Sequence, residues 1–255
     1  MILIRSAIFN VLLWTWTLLA LIVLLPVGPF LDAAGTRAYA RGWERGIGFL
    51  LRWVVGIRHE VRGLHHLPDE PVVIAAKHQS AWETLTFHTI VHELSVGLKY
   101  ELTKIPVFGH YLLKSGCIRI DRGAAAKALK SLVDGAQQAM AGGLHVMIFP
   151  EGTRRPVGAP PDYKPGVAAL YKQLGRPCVP VALNSGMFWG RRSFAKRPGT
   201  IVLEFLEPIP PGLPRAAFMR TLEERIETAT ARLVAEAGGS AAAPTKAHKI
   251  LSPEP

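Results

Sequence analysis

His78 and Glu83 stand five residues apart in the run Lys77-His78-Gln79-Ser80-Ala81-Trp82-Glu83, directly after the apolar stretch Val72-Val-Ile-Ala-Ala76. A histidine presented at a strand end titrates near neutrality and can accept a hydroxyl proton. A neighbouring carboxylate fixes its tautomer and stabilises the cation that forms. In an unbroken helix the two side chains would be about 140° out of line, so this pairing requires His78 to precede the helix. The same carboxylate has a competing use in a capping box, in which Ser80 caps the helix and Glu83 folds back onto the Ser80 amide. Both uses stay open at this level.

Two more polar motifs follow apolar runs. Gly116-Cys-Ile-Arg-Ile-Asp-Arg122 ends in Asp121 and Arg122, and Arg119 or Arg122 suits a phosphate by its guanidinium fork, or else makes an ordinary ion pair with Asp121. Phe149-Pro-Glu-Gly-Thr-Arg-Arg155 follows His145-Val-Met-Ile and carries Glu151, the permissive Gly152, Thr153 and Arg154, with a simple turn between Gly152 and Pro156 as its bland reading. Val179-Pro-Val-Ala-Leu-Asn184 reads as a structural strand, its proline marking an edge or a strand start. Cys178 has no histidine beside it, and His65-His66 reads as a turn before Pro68. His88 and His92 share a helix face but lack the H-E-x-x-H order of a zinc protease, so no metal is expected. Cys117 and Cys178 are far apart and outside any C-x-x-C pair, which points to a reducing compartment.

Positioning these motifs requires a sheet. Short β-rich runs at 57–61, 72–76, 96–100, 117–120, 145–149, 179–183 and 201–205 alternate with helical stretches at 82–93, 107–114, 124–141, 167–174 and 215–236. That alternation predicts an α/β fold, a mixed, mostly parallel sheet flanked by helices, which places ligands at the carboxyl ends of its strands.

Ahead of the sheet lies a segment of a different kind. Ser6 to Leu25 are 20 uncharged residues, about 30 Å of helix, enough for a hydrocarbon core. A signal peptide is the competing reading, but its apolar core runs to only about 7–15 residues. Arg5 stands alone before the segment, whereas Arg37, Arg41, Arg45, Arg52 and Arg58 follow it. The positive-inside tendency then puts the body of the protein on the cytoplasmic side of the membrane. After the Pro26-Val-Gly-Pro29 break, Arg37, Arg41, Arg45 and Arg52 fall on one arc of a helix, opposite Trp43, Ile47, Leu50, Leu51 and Val54. This predicts a basic amphipathic helix on the bilayer surface, with a core helix bearing a solvated arginine face as the alternative. Trp14 and Trp16 lie in mid-segment, where indoles are out of place in a spanning helix, so spanning against lying in one leaflet is left open. The expected organisation is a helical membrane anchor at 1–56, a catalytic domain at 57–237 and a disordered tail at 238–255, rich in Ala, Pro, Ser and Lys.

The formal net charge of +11 calls for anionic partners. Phospholipid head groups, an acidic carrier protein and a phosphorylated thioester all qualify. Nucleic acid is disfavoured, because the basic residues are spread along the chain with neither zinc spacing nor an RNA-binding aromatic signature.

From Val72 to Asn184 the chain resembles the glycerolipid acyltransferases, in particular the bacterial branch that acylates lysophosphatidic acid. The resemblance rests on ordered blocks: His78 with its carboxylate, Gly116–Arg122, Phe149–Arg154 and Val179–Val181. Lys99-Tyr-Glu-Leu-Thr-Lys104 is similar to the family's lysine-rich segment. Glu83 stands where the family most often has aspartate. The resemblance implies transfer of an acyl group from acyl-CoA or acyl carrier protein, as co-substrate and without a cofactor, to the sn-2 hydroxyl of lysophosphatidic acid, giving phosphatidic acid. It implies His78 as base, Glu83 as its orienting partner, Lys104, Arg122 and Arg154 around the phosphate, and Glu151 as a positioning or binding carboxylate. Another lyso-lipid acceptor, such as a lyso-amino-acid lipid, a non-catalytic lipid-binding protein of the membrane surface, and a hydrolase are the alternatives.

Overall fold

Seven apolar runs become strands in the computed structural model, which describes residues 1–120 and 125–239, with the backbone alone at 125–127. They are β1 (Ile57–Arg62), β2 (Val73–Ala76), β3 (Leu94–Lys99), β4 (Ile118–Ile120), β5 (His145–Ile148), β6 (Cys178–Leu183) and β7 (Gly199–Phe205). One sheet holds them in the order β1-β7-β6-β2-β5-β3-β4. Every described pairing is parallel except β6 with β7.

Register explains why separate motifs meet. Ala75 of β2 lies opposite Ile148 of β5, and Ala76 lies opposite Val181 of β6. The residues that leave these three neighbouring strands therefore emerge side by side, as expected at the carboxyl edge of an open sheet.

A largely parallel sheet needs both faces covered. The helices are α1 (Ile2–Val27), α2 (Ala33–Leu50), α3 (Phe87–Ile90), α4 (Phe108–Lys114), α5 (Ala125–Ala141), α6 (Gly166–Leu174) and α7 (Arg215–Glu236). Side chains of β2 alternate between the two covers. Ile74 and Ala76 join Phe9, Ile47 and Leu51 of the N-terminal hairpin. Val73 and Ala75 join Val167, Tyr171, Phe218 and Leu222 of α6 and α7. Burying one such large apolar side chain contributes about 1.5–3 kcal/mol.

Helices α1 and α2 run antiparallel, joined near Gly28. Arg5 Nε donates to the Val54 carbonyl at 2.6 Å, and Trp16 Nε1 to the Trp43 carbonyl at 2.9 Å. At the bend Lys114 Nζ donates to the Gly28 carbonyl at 3.0 Å. Gly46 allows the close approach, since a Cβ there would fall 2.4 Å from the Trp16 ring. The far side of α1 stays open, with Leu18 58% and Leu25 55% exposed, and the helix is long and apolar enough to cross a membrane.

Two expectations change. The apolar stripe of α2 packs inward, burying Ile47 and Leu51 in the core. Arg37 also turns to the protein, pairing with Glu93 at 2.8 Å. The core-helix reading therefore describes this face, while Phe49 and Trp53 remain exposed beside it. The helix expected over 82–93 is broken into a 3-10 turn, Glu83–Leu85, and the short α3, because Thr86 leaves helical geometry at φ −140 and ψ −26. By contrast, α7 spans 215–236 as expected. Asp121, Arg122 and the tail from 240 lie outside the described residues.

Candidate active site

Strand β2 is buried throughout and delivers His78 to the carboxyl edge of the sheet. Because the chain is extended there and becomes helical only after Trp82, Glu83 can turn back towards His78. The Glu83 carboxylate is fully buried. Its Oε1 accepts from the Gln79 amide at 3.0 Å, the Ser80 amide at 3.1 Å and the Ser185 hydroxyl at 2.6 Å. Its Oε2 accepts from the Ser80 amide at 3.0 Å and lies 3.8 Å from His78 Nδ1. The competing uses of this carboxylate are thus combined: the Ser80 amide is bound, and the same carboxylate faces the imidazole. A full capping box is absent, since the Ser80 hydroxyl accepts from the Trp82 amide.

At 3.8 Å the His78–Glu83 contact is longer than a hydrogen bond, and His78 Nδ1 is buried without a partner among the described residues. Such contacts commonly tighten when substrate binds. Phe149 stacks on the imidazole, with centroids 3.8 Å apart and planes 13° from parallel. The Arg155 amide donates to the His78 carbonyl at 2.8 Å. Burial, together with the Arg154 cation, pushes His78 down to about 3, so the ring is neutral at physiological pH. Burial pushes Glu83 up to about 7, against hydrogen bonds that favour its anion.

Lys77 and Glu151 lie behind this pair. Lys77 Nζ reaches Glu151 at 3.0 Å and Glu227 at 2.6 Å. Glu151 is 1% exposed and does not line the cavity in front of His78, so as a binding carboxylate it is out of place; it ties the third motif to the first. Gly152 adopts φ 63, and the chain that follows brings Thr153 and Arg154 to the cavity wall.

The cavity is about 770 Å³. Trp14, Leu21 and Leu24 of α1 and Trp43 of α2 wall it on one side, and His78, Arg154, Arg191 and Arg192 give it a polar end. Lys99 lines it, whereas Lys104 and Arg119 do not: both of these lie over the Tyr100 ring, at 4.6 and 5.0 Å. Arg119 lines a second cavity with Lys130. The sequence motifs do not reach Arg191, Arg192 or Ser185. Gly190-Arg-Arg192 is a visible basic pair, but only the fold brings it to the cavity, through Lys196, whose amide bonds Ser6 Oγ and whose ammonium bonds Asn10 Oδ1, both at 2.9 Å. Arg192 is held at φ 56, an uncommon conformation for a residue with a side chain.

An open α/β sheet carrying a neutral histidine, a buried carboxylate and an apolar cavity with arginines at its polar end has the parts of an enzyme that takes a proton from a hydroxyl. The acyltransferase family model matches residues 58–184. Over 202 residues the chain is 41% identical to the 1-acyl-sn-glycerol-3-phosphate acyltransferase of Pseudomonas aeruginosa, covering 78% of this chain and 77% of that one. It is 31% identical over 163 residues to the human 1-acyl-sn-glycerol-3-phosphate acyltransferase alpha, covering 63% of this chain and 58% of that one. The crystal structure of the 1-acyl-sn-glycerophosphate (LPA) acyltransferase from Thermotoga maritima shares the fold, with a TM-score of 0.76 over 92% of this chain and 98% of that chain at 21% identity. The chain belongs to the acyltransferase family.

Proposed function

We propose that the chain transfers an acyl group from acyl-CoA or acyl carrier protein to the sn-2 hydroxyl of lysophosphatidic acid, yielding phosphatidic acid. The observation that carries this reading is the position of His78, neutral and backed by Glu83, where an apolar cavity meets Arg154, Arg191 and Arg192. One substrate then offers an alkyl chain to the cavity and the other a phosphate to the arginines.

In the reaction, the imidazole nitrogen opposite Nδ1 takes the hydroxyl proton as the oxygen attacks the thioester carbonyl. The tetrahedral intermediate collapses with loss of the carrier thiolate, which receives the proton from His78. Glu83 stabilises the imidazolium between these steps. Neither a covalent acyl-enzyme nor a cofactor is needed. Arg154 with Arg191 and Arg192 holds the phosphate, and Lys99 takes the part the resemblance gave to Lys104.

The α1–α2 hairpin holds this site at the inner membrane with the catalytic domain in the cytoplasm, in keeping with the arginines that follow α1. α1 is bonded to the rest of the chain from Arg5 to Gly28, which supports a helix lying along one leaflet over one that crosses.

The test supplies purified protein with palmitoyl-CoA and lysophosphatidic acid in phosphatidylcholine vesicles. Phosphatidic acid is expected from the parent and not from His78→Ala. Acylation of a lyso-amino-acid lipid with none of lysophosphatidic acid would replace the acceptor.

A further inference from the structure

Glu44, His88 and Cys117 take no part in the chemistry above, yet all three border the same cavity. They come from α2, from α3 and from the residue leading into β4. His88 Nδ1 lies 2.8 Å from Glu44 Oε1. The Cys117 side chain acts on the same ring and, like Glu44, favours its charged form. Burial of His88 works against its charge, but Cys117 and Glu44 together raise it to about 10. Glu44 is 3% exposed, and its Oε2 is buried without a hydrogen-bond partner among the described residues.

A buried ion pair is a poor structural element. Apolar residues of similar volume are often as stable or more so, and an unsatisfied carboxylate oxygen adds a further cost. Acid, base and thiol in that order are the parts of a nucleophilic triad. Arg37, which also borders this cavity, is engaged by Glu93 at 2.8 Å and by the Ser115 carbonyl at 3.4 Å. Ser115 Oγ in turn lies 3.5 Å from Cys117 Sγ. Cys178 makes the contrast: it is fully buried in β6, and burial alone pushes its thiol upward. Cys117 also borders the second cavity, about 790 Å³, which Arg119 and Lys130 make basic. Cys117 therefore stands between an apolar space for an alkyl chain and a basic one suited to a phosphorylated carrier.

We infer that Cys117 is the nucleophile of a second reactive centre in this cavity, with His88 as its proton carrier and Glu44 as orienting carboxylate, and that it takes acyl groups from thioesters by thiol exchange. The inference rests on the donor class proposed above. The Cys117 thiolate attacks the thioester carbonyl carbon, a carbon–sulfur bond to Cys117 forms as that to the carrier breaks, and the proton on His88 passes to the departing thiolate. One thioester replaces another, so no oxidant or energy source is consumed. His78 is not involved.

The test incubates the full chain with palmitoyl-CoA, without acceptor, and reads intact mass. One added palmitoyl group, released by neutral hydroxylamine, is expected in the parent and in His78→Ala. It is expected to be absent in Cys117→Ser and at least about 100-fold slower to form in His88→Gln, the usual share of a general acid–base. Transfer to lysophosphatidic acid by Cys117→Ser, measured in parallel, shows that this variant is folded. An adduct that persists in Cys117→Ser overturns the centre. So does the lack of an adduct while transfer proceeds in the same sample, and the acyl-transfer reading then stands. An adduct without transfer supports the centre and overturns that reading, and the lack of both overturns both.

Discussion

The Lys77 ammonium, 3.0 Å from the Glu151 carboxylate, joins the ends of β2 and β5 underneath the catalytic pair. Both side chains are almost fully buried, at 3% and 0% exposure. Removing one charge strands the other, which typically costs about 3–5 kcal/mol. Lys77→Met is therefore expected to lower urea-unfolding stability by about that amount, and Lys77→Met with Glu151→Leu to recover part of it. A Lys77→Met protein as stable as the parent would show that the pair does not hold the motifs together.

Phe149 fixes the plane of His78. Phe149→Leu keeps an apolar neighbour but removes the flat face, so the imidazole gains rotational freedom and kcat is expected to fall about tenfold, with KM nearly unchanged. A matching rise in KM would assign Phe149 to binding the chain.

The pH profile follows from the two shifts. His78, depressed to about 3, stays in its base form across the physiological range, so Glu83, raised to about 7, sets the acid limb. Activity is expected to rise with pH through about 7, as the carboxylate that supports the imidazolium forms. Glu83→Gln is expected to lose that limb and to work more slowly at every pH. For stability the signs are opposite. The depressed His78 contributes stability that is lost as pH falls from 6.5 towards about 3. The raised Glu83 contributes stability that is lost as pH rises from 4.5 through about 7.

Arg191 and Arg192 distinguish phosphate binding from chemistry. A charge-assisted hydrogen bond contributes about 1.5–3 kcal/mol, so Arg191→Ala or Arg192→Ala is expected to raise KM for lysophosphatidic acid about 10–100-fold while leaving KM for the acyl donor unchanged. Equal loss for both substrates would point to a collapsed loop.

Much of the fold is legible in the chain because apolar runs bounded by turn residues are a local signal. All seven strands lie where those runs do, and the amphipathic period of 215–236 marks α7. The carboxylate pairing is half legible: Glu83 follows His78 at a suggestive spacing, but its double task depends on amides of Gln79 and Ser80 that carry no side-chain signature. Lys99 and Lys104 cannot be ranked locally, because which of them meets the cavity depends on the 3-10 turn that follows β3. Arg191 and Arg192 are invisible as site residues, since bonds from Lys196 to Ser6 and Asn10, distant in sequence, carry their loop to α1. The triad of Glu44, His88 and Cys117 is scattered over 74 positions and exists only in three dimensions.

Part of the cavity wall is made by Trp14, Leu21 and Leu24, residues of the same helix whose other face is exposed and apolar. Attachment and catalysis thus share one piece of chain. A truncated protein made without α1 loses a side of its substrate chamber, however well its sheet folds. Surfactants used to extract the protein act on that chamber as well: an amphiphile that solvates the hairpin competes with an alkyl chain for the same volume, and its inhibition should track the length of its own tail.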